Sequence, residues 1–177
     1  MRGRHTLHSL KKRLAALCMA AATIISIGWV GTPAFAHAPS DWKKERAHVK
    51  KRVRSQLGTP YVYGGGSSSG FDCSGLTRWV YGSHGASLPH SSLLQFKLAS
   101  TPAVKRIWKR GNLEIGDLVF HKTTSARVGH VGIYVGKGRF ISSTSSGGVR
   151  VRSIRDPYYW GPRWVGGTRL PATIRYR

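Results

Sequence analysis

The feature that most constrains the fold is a change of period near residue 115. Beyond it come GDLVFH (116–121), GHVGIYVG (129–136), GRFIS (138–142), GGVRVRS (147–153) and RWVGGTRL (163–170), short runs rich in β-formers and separated by Gly, Ser and Pro. Ahead of it the pattern is helical. DWKKERAHVKKRVRSQLG (41–58) puts Trp42, Val49, Val53 and Leu57 in one apolar stripe, with Asp41 to cap the start and Gly58 to end the helix. CSGLTRWVYGSH (73–84) predicts a second helix with Leu76, Trp79 and Val80 inward, against the weak helix propensity of Gly75 and Gly82. Leu88-Pro89 opens a third helical segment, capped by Ser91 or Ser92, with Leu94 and Leu98 inward. Helices first and strands after predict an α+β domain, N-terminal helices packed on an antiparallel β-sheet.

The N-terminus sets the expected compartment. Arg2, Arg4, Lys11, Lys12 and Arg13 precede an uncharged apolar run over residues 14–31, which ends in Ala34-Phe35-Ala36. A basic start, an apolar middle and a small-x-small end predict a signal peptide over 1–36, cleaved after Ala36. The expected product is secreted or periplasmic, at the cell wall, without membrane attachment once the signal is removed. Residues 37–57 then read as a short HAPS linker and a basic helix, and 58–177 as the functional domain. Removing the five signal-peptide cations leaves 24 basic against six acidic residues, a net charge of +18. Such a field calls for an anionic partner, and for an exported chain anionic cell-wall polymers fit best. Nucleic acid is not expected, because the aromatic residues lie in apolar or loop contexts and not interleaved on a basic sheet face.

With Cys18 in the signal peptide, Cys73 is the sole cysteine of the remaining chain. It stands in GFDCSGL (70–76) at the predicted start of a helix. Asp72 would cap that helix, and the free amides and the helix dipole would favour a thiolate and hold an oxyanion. A cysteine nucleophile needs a histidine, and His37, His48, His84, His90, His121 and His130 are available. His130 opens a strand on which Val131, Ile133 and Val135 alternate with His130, Gly132 and Tyr134. One face is core; the other carries His130 beside a glycine, which predicts open space for a substrate. If Gly136-Lys137-Gly138 forms a three-residue hairpin loop, Gly132 faces Ser142 and His130 lies diagonal to it on the same face. Ser142 can then orient His130, directly or through water.

GTPYVYGG (58–65), DCSGL (72–76), GDLVFH, GHVGIYVG, GRFIS and YYWGPR (158–163) together resemble the NlpC/P60 family of cell-wall cysteine peptidases, from about Gly58 to Leu170. The resemblance implies a papain-like arrangement, with the nucleophile on a helix packed against the sheet that carries the histidine. It implies peptidoglycan stem peptides as substrate, cut between γ-D-glutamate and meso-diaminopimelate or lysine. Cys73 matches the nucleophile and His130 the base. Tyr61, Asp72 and Ser74 match residues at the substrate site. Each also has a plainer role: Tyr61 as core, Asp72 as a cap, Ser74 as a helix starter.

One position departs from the family. Its third polar residue, twelve after the histidine, is most often His and sometimes Asn or Gln; here it is Ser142. Serine is shorter and holds an imidazole less firmly, and orientation of the base weighs heavily on rate. Three outcomes follow: an active enzyme using Ser142 or a bridging water, a slow enzyme, or a basic wall-binding protein with a vestigial site. An amidase or acyltransferase on the same fold is a further alternative. No metal or cofactor is expected, since there is no HExxH and the histidines are scattered. The chain is expected to act as a monomer.

Overall fold

The computed structural model describes residues 39–171. The expected signal peptide, its cleavage point, Cys18 and His37 lie outside the described residues, as does the side chain of Trp42.

Helix α1 spans Pro39–Arg54. It begins two residues before the expected Asp41 cap and so takes in half of the HAPS linker; proline is well suited to a first turn, where its missing N–H has no partner to lose. Val49 and Val53 are buried, but Leu57 lies past the helix end and is 40% exposed, so the apolar stripe is shorter than expected. Gly58 (φ +88°) turns the chain away, and its N–H donates to the Val149 carbonyl. A small hairpin follows, β1 (Gly66–Ser67) with β2 (Gly70–Phe71). Helix α2 spans Cys73–Gly82, with Leu76 and Val80 fully buried and Trp79 stacked under the Arg52 guanidinium of α1. Helix α3 is Ser92–Lys97, capped by the Ser91 hydroxyl. Its inward residues are Gln95 and Phe96, and not Leu94, which is 50% exposed.

Six antiparallel strands form the sheet: β3 (Lys105–Ile107), β4 (Leu118–His121), β5 (His130–Gly136), β6 (Arg139–Thr144), β7 (Gly148–Ser153) and β8 (Trp164–Arg169). Their spatial order is β3-β8-β4-β5-β6-β7. The architecture is the α+β one expected, with an additional edge strand, β3. Asp117 ties the two central neighbours together before β4 begins: its carboxylate accepts both Nε and Nη2 of Arg169 on β8, at 2.9 and 2.8 Å. Burial raises its pKa, and Arg169 counters the rise.

The sheet is covered on both faces. Leu118, Phe120, Val131, Ile133 and Ile141 pack with α1, α2 and α3. Val119 and Phe140 pack with Ile107, Leu113, Ile154 and Trp160 in a second apolar cluster. The expectation of open space beside Gly132 is therefore corrected. A Cβ at Gly132 would stand 2.6 Å from the Phe140 ring and 2.8 Å from the Ile141 carbonyl, so the absent side chain admits a neighbouring ring and not a substrate.

The β5–β6 turn also differs in detail. Lys137 and Gly138, both at positive φ, make a two-residue turn closed by Gly136 opposite Arg139. A bulge between Tyr134 and Gly136 restores the residue the shorter turn omits, so Tyr134 faces Phe140 and Ile133 faces Ile141. Along the body of the hairpin this is the predicted register, and the Cβ position of Gly132 lies 3.0 Å from Cβ of Ser142.

Candidate active site

Cys73 is the first residue of α2, and the sequence immediately before it builds the cap. Asp72 is extended (φ −87°, ψ −179°), and its Oδ1 accepts the Gly75 N–H at 2.6 Å and the Ser74 hydroxyl at 3.0 Å. Oδ2 accepts the Gly64 N–H at 3.1 Å, and His90 Nε2 lies 3.0 Å from both oxygens. One carboxylate thus joins the glycine-rich loop, the helix start and the segment before α3. The approach is close: a Cβ at Gly75 would stand 1.9 Å from the Gly65 carbonyl oxygen, which requires glycine after Ser74.

The thiol is half-buried, and the backbone N–H groups of Val131, Ser74 and Cys73 itself favour its charged form. Burial outweighs them, and with the nearby Asp72 charge it pushes the thiol up to about 11. The expected lowering by the helix terminus is thus reversed. Burial is the main reason, and the cap adds to it by placing a carboxylate beside the sulfur and taking the Gly75 amide for itself. The Val131 amide also fixes where the thiol meets the sheet, one residue on from His130.

His130 is 6% exposed and lies against Trp160, ring centres 4.9 Å apart. Burial, helped by the Arg152 charge, pulls its pKa down to about 3. Thiol and imidazole are therefore both neutral at rest. Ser142 is fully buried, and neither its Oγ nor His130 Nε2 has a hydrogen-bond partner. The direct Ser142–His130 hydrogen bond considered from the sequence is not made. Tyr61 pairs with Phe71 in an isolated bridge, and its phenol is pushed up by burial and then by the fields of Cys73 and Asp72. Ser74 is buried, with its hydroxyl given to Asp72. An open groove of about 760 Å³ runs along α2, lined by Gly64, Gly66, Arg52, Arg78, Trp79 and His90.

The sequence profile of the NlpC/P60 family matches residues 58–169. The chain belongs to the NlpC/P60 family. Among curated NlpC/P60 relatives, murein DD-endopeptidase MepH of Escherichia coli K12 is 34% identical over 151 residues, 82% of this chain and 54% of that protein. Peptidoglycan DL-endopeptidase CwlO of Bacillus licheniformis is 38% identical over 107 residues, 57% of this chain and 23% of that protein. The chain thus spans about half of the first relative and about a quarter of the second. The crystal structure of an NlpC/P60 family protein from Bacillus cereus superposes with a TM-score of 0.61 at 30% identity, covering 71% of this chain and 40% of that one.

Two residues of this NlpC/P60 domain had no assigned role in the sequence reading. His90 holds Asp72 from a segment 18 residues away, a distance no local pattern encodes. His121 ends β4 directly opposite His130. Pairing GDLVFH with GHVGIYVG as a hairpin would have brought the two together, but residues 122–129 carry no turn of defined length to fix that register.

Proposed function

We propose that this NlpC/P60 domain is a cysteine endopeptidase of peptidoglycan, cutting stem peptides at the γ-D-glutamyl–diamino acid bond through a thioester. The observation that carries it is Cys73 at the α2 N-terminus, faced by the amides of Ser74 and of Val131, the residue that follows His130 on β5. With both groups neutral at rest, His130 takes the thiol proton as the sulfur attacks the carbonyl. The Cys73 N–H is one donor to the resulting oxyanion. The imidazolium then protonates the leaving amine, the thioester forms, and a water deprotonated by His130 releases the acid. Tyr61 and Asp72 border the substrate, and Ser74 acts on it through Asp72. The arginines of the α2 groove suit the carboxylates of a stem peptide.

Defined stem peptides, incubated with the purified chain and its Cys73→Ala variant and read by mass spectrometry, test this. Cleavage after D-glutamate by the wild type alone is the expected outcome. Cleavage only at D,D-cross-links would move the bond, as the name of the MepH relative allows. A second reading, a wall-binding protein with a weakened site, is favoured by the raised thiol pKa and the unpartnered Ser142. It requires no cleavage by either form with wall binding intact.

The net charge of +18 left once residues 1–36 are removed, 24 basic against six acidic residues, supports attraction to anionic wall polymers. Binding to isolated walls is then expected to weaken steeply between low and physiological salt; salt-insensitive binding would remove the electrostatic explanation. Export by a cleaved leader is part of the same proposal, and an exported protein beginning at His37 is the expected sequencing result.

A further inference from the structure

Behind His130 lies a small polar island in an otherwise aromatic interior. His121, Ser142 and His130 carry four buried atoms without partners: both ring nitrogens of His121, Nε2 of His130 and Oγ of Ser142. His121 and Ser142 are 0% exposed. A buried polar group left unpaired is costly, so several together mark a site where one shared partner relieves them.

Their placement shows what that partner would join. His121 stands on β4 opposite His130 on β5, ring centres 6.4 Å apart, too far for a direct bond between ring nitrogens of about 3 Å and close enough for one water to bridge. Ser142 closes on the same face from β6. The His121 ring is held by Phe140, stacked at 5.0 Å, and by Trp160 and Trp164 edge-on at 5.1 and 6.0 Å. None of these rings makes a hydrogen bond to either His121 nitrogen; the Trp164 N–H goes instead to the Trp108 carbonyl. Burial, with the His130 and Arg110 charges, pulls the His121 pKa down to about 3, so the ring is neutral and keeps one lone pair for accepting.

We propose that His121 is a positioning residue for His130, acting with Ser142 through a buried water that accepts the Nε2 proton of His130. The water donates to the unprotonated nitrogen of His121 and to Ser142 Oγ. Holding the proton on Nε2 leaves the Nδ1 lone pair of His130 to serve Cys73. The shortness of Ser142 is thereby offset by a second side chain from the opposite neighbouring strand. This inference rests on the reading of Cys73 and His130 as the reacting pair.

The test is a double-mutant cycle. His121→Phe suits the aromatic surroundings and removes both nitrogens; it is expected to lower kcat on the order of tenfold with KM unchanged. Ser142→His gives His130 a direct partner, so in that background His121→Phe is expected to cost less than about threefold. Equal losses in both backgrounds, or no loss in either, would overturn the proposal. If His121→Phe lowers Tm, His121→Gln keeps an acceptor and is expected to retain most of kcat; a tenfold loss there as well counts against the relay. Ring ¹⁵N shifts give a readout that needs no substrate: His130 is expected to be the Nε2–H tautomer in the wild type and mixed in His121→Phe. If the wild type cleaves no stem peptide, the proposed function fails, while an unchanged tautomer in the variant is what sinks the relay.

Discussion

Beside Cys73, Asp72 is bonded to Gly64, Gly75, Ser74 and His90, and three backbone amides face the sulfur. Beside His130, the imidazole Nε2, both nitrogens of His121 and the Ser142 hydroxyl have no protein partner. The thiol half is held through one side chain, the Asp72 carboxylate, which two backbone amides, a hydroxyl and an imidazole surround. The imidazole half depends on which side chains stand around it. It is in that half that Ser142 stands, buried and without a partner.

The largest expected effect breaks the thiol half outright. In the chain beginning at His37, Cys73→Ala should abolish hydrolysis and thiol labelling together, and His130→Ala should lower kcat by about 10³-fold or more while labelling persists. Hydrolysis surviving in Cys73→Ala would remove the thioester mechanism.

Next in size is a pH response. Alkylation requires the thiolate, and a thiol held near 11 should react about tenfold faster for each pH unit gained across the neutral and alkaline range. A His130 pulled down to about 3 adds no inflection there. A rate plateau beginning near pH 5 would mean a resting thiolate–imidazolium pair, and the two halves would then be coupled at rest.

Smaller effects probe how far the bonded region extends. Asp72→Ala should lower stability by about 1–2 kcal/mol in urea unfolding, the usual cost of losing an N-cap. Gln95→Ala should cost about 1–3 kcal/mol, since its buried amide receives the Thr77 hydroxyl and donates to the Ser74 and Pro89 carbonyls. Leu94→Ser, one position away and half exposed, should stay within about 0.5 kcal/mol. Equal losses at 94 and 95 would mean that α3 is held by apolar packing after all.

Those two neighbours also show what a sequence reveals. The helix at Cys73, the Asp72 cap and the body register of β5 with β6 were legible, because each follows from local spacing and turn chemistry. Gln95 was not: a buried amide that satisfies three distant partners looks, in sequence, like the polar side of its helix, and Leu94 like the apolar side. The second apolar cluster was hidden for a related reason. Trp160, in an irregular segment after β7, closes the face that alternation on β5 alone leaves open. His121 and His90 acquire their roles only through long-range pairing. The lowered thiol pKa expected at a helix start failed because packing buries the sulfur, and the charge of the capping aspartate adds to the rise.

The bulge before the Lys137-Gly138 turn gives the β5–β6 hairpin an arithmetic parity. Strand residues alternate between faces, so the twelve steps from His130 to Ser142 keep both side chains on one side only because turn and bulge together contribute the right odd or even count. A single-residue insertion or deletion between them would send Ser142 to the helix side of the sheet and bring Ser143 or Ile141 behind the histidine. This stretch of chain is thus locked in length by the chemistry at its ends, and at its tip by the positive φ of Gly136, Lys137 and Gly138, which favours glycine there.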